Sequence, residues 1–253
     1  MPIDIVTVPC LSDNYAYLLN DGTTTFLVDA PEAGPIIDVL EERDWDLDTI
    51  LITHHHHDHV GGVADLVARY GCTVTGPRSE QAKLPPIATG WSEGDTGGTG
   101  VLSFRVIEVP GHTLGHVAFH FDKAGAVFTA DSLMALGCGR VFEGTPEMMW
   151  ESLSKLMALP PETMVYSGHE YTAANARFAL SVDPDNADLQ ARAEDIEAAR
   201  NAGKPTAQVP LSLELATNPF LRAHDPALQE ALGMQGAPDV AVFAEIRGRK
   251  DRF

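Results

Sequence analysis

The chain has 253 residues, 44% apolar and 21% charged, the make-up of a folded protein of one large domain or two modest ones, so wholesale disorder is excluded. No run approaches about 18 uninterrupted apolar residues, which excludes a membrane-spanning helix. With 17 Lys and Arg against 36 Asp and Glu, the net charge of −19 repels nucleic acid and anionic lipid unless a local basic patch overrides it. Met1-Pro2-Ile3-Asp4 lacks a basic region followed by an apolar run, so no secretory leader is expected. Cys10, Cys72 and Cys138 are odd in number and form no CxxC pair; they fit reduced thiols in a cytoplasmic protein.

In chain order, residues 3–8 alternate as a half-buried strand does. Residues 16–19 and 24–28 flank the turn Asn20-Asp21-Gly22 and predict a hairpin. A short helix is expected over 36–42, and the apolar run 49–53 suits a strand buried on both faces. Residues 63–70 return to helical spacing, with Gly71 as the stop. Strands are expected at 104–109, 117–121, 126–129 and 164–166. Between the last two, Thr145 and Pro146 mark a helix start. After about residue 172 strand signals cease, and helices are expected over 188–202, 227–232 and 240–247. This reads as an α/β domain over 1–171 and a helical annex over 172–253 without a large core of its own. The last seven residues carry four basic groups and one acid, a solvated end or a receiver for a small anion.

The dominant feature is Thr53-His54-His55-His56-His57-Asp58-His59, which leaves a buried strand and enters a Gly61-Gly62 turn. Five crowded imidazoles make mutual protonation unfavourable unless a metal is present, and imidazole and carboxylate suit zinc, iron or manganese. Alternate residues leaving a strand point the same way, so His54 and His56 can face one ion, with Asp58 and His59 facing a second; His55 and His57 then point elsewhere. Further donors stand at other strand ends, where α/β folds build their sites: His112 after 104–109, Asp131 after 126–129, and His169 after 164–166.

H-x-H-x-D-H with the downstream Gly-His, Asp and Gly-His resembles the metallo-β-lactamase superfamily over roughly residues 3–172. Within it, the chain is similar to the glyoxalase II (hydroxyacylglutathione hydrolase) family through its ligand loop, Pro110-Gly-His-Thr-Leu-Gly-His116, Gly137-Cys-Gly-Arg140, Gly168-His-Glu-Tyr-Thr172 and Asn218-Pro-Phe-Leu-Arg222. The resemblance implies a four-layer αβ/βα sandwich with a C-terminal helical domain beside the site. It implies His54, His56 and His112 as ligands of one metal, Asp58, His59 and His169 as ligands of the other, and Asp131 as the bridge. It implies two divalent ions, zinc first, with iron or manganese as alternatives. The implied reaction is hydrolysis of S-D-lactoylglutathione to D-lactate and glutathione. The cysteines, the acidity and the lack of a long apolar edge or heptad add the expectation of a cytoplasmic monomer with no nucleic-acid or membrane partner.

Two cations about 3.5–4 Å apart can share a water and lower its pKa from 15.7 to about 7, which gives a nucleophile for the thioester carbonyl; Asp58 could also orient it. Arg140, Phe142, Tyr171, Arg247 and Lys250 match the family's glutathione contacts. Arg140 stands where Lys is common, Phe142 lacks a Tyr hydroxyl, and His57 replaces a common Trp. The nearest alternative is a persulfide dioxygenase with one iron on two His and one Asp. Such proteins lack the annex with Asn218-Pro-Phe-Leu-Arg222 and the basic end. A β-lactamase, a nuclease and a non-catalytic metal-binding module fit less well, because the annex, the acidity and the complete ligand set would go unexplained.

Overall fold

In the computed structural model, which describes residues 3–253, the chain divides into two compact units: residues up to 108 with 113–129, and residues 109–112 with 130–253. Among the described residues no helix is long and apolar enough to cross a membrane.

The first unit opens with β1 (Asp4–Cys10) and β2 (Asn14–Asn20), antiparallel from Asp4↔Asn20 to Cys10↔Asn14. The expected hairpin joins β2 to β3 (Thr25–Val28). Its turn is closed by side chains: Asn20 accepts from the Gly22 amide at 2.7 Å, and Asp21 Oδ1 accepts from the Thr23 and Thr24 amides at 3.0 Å. From β3 the sheet turns parallel, through α1 (Ala33–Arg43), β4 (Thr49–Leu51), α2 (His57–Val60), α3 (Val63–Tyr70), β5 (Thr73–Pro77) and β6 (Thr89–Trp91), in the order β1-β2-β3-β4-β5-β6. Leu18, Leu27, Ile50 and Ile52 from the sheet pack with Ile36, Leu40, Val63 and Leu66 from α1 and α3. Gly71 stops α3 in the left-handed region, φ 65°, as its sequence predicts. The remaining strands, β7 (Thr96–Gly97), β8 (Phe104–Glu108), β9 (Val117–Phe121) and β10 (Ala126–Ala130), form an antiparallel run packed by Phe104, Phe119, Phe121 and Phe128.

The second unit contains β11 (Leu133–Met134), β12 (Gly137–Cys138), α4 (Pro146–Met157), β13 (Met164–Ser167), α5 (Thr172–Val182), α6 (Ala187–Asn201), β14 (Gln208–Pro210), α7 (Leu211–Thr217), α8 (Pro226–Leu232) and α9 (Asp239–Arg252). Thr145 caps α4 by accepting from the Met148 amide at 3.3 Å, with Pro146 in the first turn. Here the reading of the sequence is corrected. A strand does follow residue 172: β14 pairs with β13 over three residues, too short to show alternation. α5 buries Thr172, Asn175, Ala176, Phe178, Ala179 and Val182 along one face, but Thr172 and Asn175 are polar while Ala173, Ala174 and Leu180 are apolar and only part-buried, so the sequence shows no clean apolar stripe. α9 runs beyond its expected end to Arg252, and Arg247 in the basic run is buried rather than solvated. Phe178, Phe220 and Phe243 are fully buried, so this region has more core than its composition suggests.

The segment Asn218-Pro-Phe-Leu-Arg222 is structural cement. Asn218 Nδ2 donates to the Met134 and Gly137 carbonyls and to Glu214, while its Oδ1 accepts from the Phe220 amide. Glu214 is wholly buried, accepts from the Leu136 amide, and pairs with the buried Arg192, which also donates to Thr217 at 2.6 Å. Arg222 pairs with Asp183 and Asp225. Arg192→Leu leaves the Glu214 charge buried without its cation, so a loss of about 3–5 kcal/mol is expected. At roughly 2–4 °C per kcal/mol for a chain of this size, a calorimetric melt should fall by about 6–20 °C.

Candidate metal centre

Parallel strands deliver their loops at their C-terminal ends, and β3 and β4 deliver Asp29 and the histidine run side by side. Asp29 is 2% exposed and sits at φ 57°, an uncommon conformation for a residue other than glycine. It accepts from the Thr53 amide at 2.8 Å, from Thr53 Oγ1 at 2.8 Å and from His59 Nδ1 at 2.8 Å. The Thr53 hydroxyl gives its one proton to Asp29, so His54 Nδ1, 3.0 Å from the same oxygen, is the donor in that contact. Both His54 and His59 are thereby held with the proton on Nδ1 and the lone pair on Nε2, the tautomer a metal needs. The His54 Nε2 to His56 Nδ1 separation is 3.2 Å, so these two do face together as expected.

The other two histidines turn away. His55 gives its amide and its Nδ1 contact to the buried Glu80, whose second oxygen accepts from the Gly115 amide. His57 is exposed. Asp58 is steered by the buried Asn14, whose Nδ2 donates to the Asp58 carbonyl at 3.0 Å and to Oδ2 at 3.1 Å. That leaves Asp58 Oδ2 3.8 Å from His59 Nε2. His116 stacks on His54, ring centroids 4.6 Å apart, and His120 lies within β9. Gly61 and Gly62 are required where the loop turns, because a Cβ on either would strike backbone at 31–33.

In the second unit, His112, Asp131 and His169 are all buried. His112 Nδ1 donates to the Arg140 carbonyl at 2.8 Å, again leaving Nε2 as the lone-pair donor. One oxygen, Asp131 Oδ2, lies 3.3 Å from Nε2 of His112 and 3.3 Å from Nε2 of His169. A tetrahedral ion with bonds of roughly 2.0–2.2 Å places its donors about 3.3–3.5 Å apart, so these separations suit oxygen and nitrogen ligands sharing ions. Ala130, at φ 41°, aims Asp131, and its carbonyl accepts from the Gly168 amide, which registers His169 beside it. Gly139 passes so near the Asp131 carbonyl that a Cβ there would collide with it.

The expected substrate contacts also lie in this unit. Tyr171 stacks flat on His169 at 4.7 Å, and Phe142, 62% exposed, packs on His112 at 5.2 Å. Arg140 is exposed, with Nε 3.5 Å from Asp251. Arg247 is buried and donates to the Cys138 carbonyl and to Asp251, both at 2.8 Å. Lys250 is half-buried over the Phe178 and Phe253 rings and donates to the Ala174 carbonyl at 3.3 Å. Its pKa is pushed down to about 8, first by burial and then by Arg247 and Arg177.

The metallo-β-lactamase superfamily model matches residues 11–169, and the model for the hydroxyacylglutathione hydrolase C-terminus matches residues 170–253. The chain is 61% identical, over the whole of both chains, to a hydroxyacylglutathione hydrolase of Ruegeria pomeroyi. The chain belongs to the hydroxyacylglutathione hydrolase family. Among solved structures, BLEG-1, a B3 metallo-β-lactamase, superposes with a TM-score of 0.67 at 21% identity, covering 86% of this chain and 99% of its own. That likeness shows the fold, the expected α/β sandwich of the superfamily. TTHA1623, solved in a di-iron-bound form, is 27% identical with a TM-score of 0.62, covering 86% of this chain and all of its own. Family membership and the His/Asp donor groups support a two-metal centre.

Proposed function

We propose that the protein hydrolyses S-D-lactoylglutathione to D-lactate and glutathione, with His54, His56 and His112 holding one divalent ion, Asp58, His59 and His169 the other, and Asp131 bridging them. The observation that carries this reading is the full-length match to hydroxyacylglutathione hydrolases in a chain that keeps every expected ligand. We take the ions as zinc, whose tetrahedral habit suits the donor spacings, with iron or manganese accepted by the same donor types. When bound, such a pair supplies an acidified water and polarises the carbonyl.

The protein's own residues do the rest. Asp29 and Thr53 fix imidazole tautomers before any ion arrives, and Asn14 fixes the Asp58 carboxylate. A thiolate leaves readily, so no strong general acid is required of the chain. Residues 172–253 serve as the substrate-binding annex. Arg140 and Lys250 offer charge to the glutathione carboxylates, Tyr171 and Phe142 offer ring faces and Tyr171 a hydroxyl, and Arg247 acts from beneath through its contacts with Cys138 and Asp251. We take the protein to be a monomer of the cytoplasm.

The test is hydrolysis of S-D-lactoylglutathione by the purified full-length protein, followed as loss of thioester absorbance with and without chelator. Chelator-sensitive turnover is expected. No turnover with two ions bound would redirect the assignment to another thioester, and a single bound iron with oxygen consumption would move it to a dioxygenase. Lys250 adds a pH signature. Its cation is present below about pH 8 and lost above it. KM for the anionic thioester is therefore expected to rise as pH climbs through 8. In Lys250→Arg, whose guanidinium stays charged, KM should hold level between about pH 7 and 9.

A further inference from the structure

Asp251 stands in the last turn of α9, at the negative end of the helix dipole, where a carboxylate is unfavourable. Two arginines hold it there. Arg247, one turn earlier, donates from Nη2 to Asp251 Oδ1 at 2.8 Å, and Arg140 Nε lies 3.5 Å from the same oxygen. The two arginines differ in freedom. The Arg247 side chain is 9% exposed, tied through Nη1 to the Cys138 carbonyl and laid over the Phe220 ring at 5.2 Å. The Arg140 side chain is 59% exposed, and its contact with Asp251 is the long one. An exposed, long ion pair contributes little and opens readily, whereas the short contact to an anchored guanidinium persists. Arg247 therefore fixes the carboxylate in place, and Arg140 is the partner that exchanges.

We propose that Asp251 is a built-in stand-in for a substrate carboxylate: it occupies Arg140 in the free enzyme, yields it when an anionic thioester binds, and so sets how tightly anionic thiols are held. This rests on Arg140 being a substrate contact, as read above. Asp251 touches no reacting atom; it is a positioning residue that competes with the ligand. Arg140, Arg247 and Lys250 form a basic cluster on a chain of net charge −19, and Asp251 is the acid in contact with its two arginines. Removing that acid strengthens the pull on an incoming anion.

The experiment compares metal-loaded, full-length wild type with Asp251→Asn. KM for S-D-lactoylglutathione should fall about three- to tenfold with kcat changed less than twofold, and product inhibition by glutathione should tighten in parallel. For an uncharged acyl thioester of N-acetylcysteamine, KM should move less than twofold. An unchanged or raised KM for the glutathione thioester, in a folded variant of an active wild type, overturns the proposal and leaves Asp251 as a brace for Arg247. A wild type without turnover would instead sink the functional reading beneath it. Asp251→Ser must show the same tightening, and it carries the test if the asparagine variant does not fold. In an Arg140→Ala background, Asp251→Asn should leave KM where Arg140→Ala alone puts it. An equal drop there would mean that Asp251 acts through net charge and not by exchange.

Discussion

Replacing Asp131 with asparagine is expected to cost the protein both of its ions and to lower thioester hydrolysis on the order of a thousandfold or more, since the chemistry a divalent pair supplies is the acidification of water from 15.7 to about 7. The substituted side chain is nearly isosteric but uncharged. The single oxygen that approaches both His112 Nε2 and His169 Nε2 at 3.3 Å would become part of an amide, either a weaker acceptor or an NH2 group that repels cations. The left-handed Ala130 and the missing side chain at Gly139 leave the backbone little room to bring another carboxylate into that place. Metal analysis of the purified variant gives the answer directly: two ions per chain with wild-type turnover would overturn the proposal that Asp131 bridges them.

Asp29→Asn is expected to weaken metal binding by about 10- to 100-fold, the range typical of groups that orient ligands without touching the ion. The change is small in shape and large in sign. Asp29 uses one oxygen for the Thr53 amide and the other for both Thr53 Oγ1 and His59 Nδ1. An amide can keep the first contact, but its NH2 then faces two donors. His59 escapes by moving its proton to Nε2, which closes the nitrogen meant for the ion, and His54 loses the hydroxyl orientation that fixes its own tautomer. One carboxylate thus governs a ligand assigned to each ion, so both sites should weaken together in a metal titration, and excess metal should restore part of the activity. Loss at one site only would show that the Thr53 relay carries no influence. Leaving a buried donor unsatisfied also costs about 1–3 kcal/mol, which a melt of the metal-free protein would register.

The proposed ligands stand out in the sequence because they gather at the ends of apolar strands and because their residue types have few other uses in such a pattern. The residues that prepare them are not. Asp29 in Val-Asp-Ala looks like any strand end. Its importance arises only when β3 and β4 pair in parallel and its amide donates to the Leu51 carbonyl, which sets it beside Thr53. Asn14 and Glu80 reach their targets over 44 and 25 residues of chain, distances that no local pattern encodes. The separation of His54 and His56 from His55 and His57 is readable from strand alternation, but not that a buried carboxylate claims His55. Asn218-Pro-Phe-Leu-Arg222 marks the family; that it braces the loop around Gly137 needs the fold. The basic end reads as surface, and burial of Arg247 cannot be foreseen, because nothing local says that a Cys138 carbonyl 109 residues away will meet it.

The three cysteines carry a consequence for the chemistry of the product. Hydrolysis of a glutathione thioester releases a thiol, into a pool where mixed disulfides form whenever a protein thiolate is within reach. Cys10, Cys72 and Cys138 are all buried, and burial drives each thiol away from ionisation, Cys10 to about 12. Only the thiolate exchanges, and only where the attacking sulfur can approach in line. Burial and suppressed ionisation therefore disfavour glutathionylation of all three, and turnover is expected to persist in oxidised glutathione.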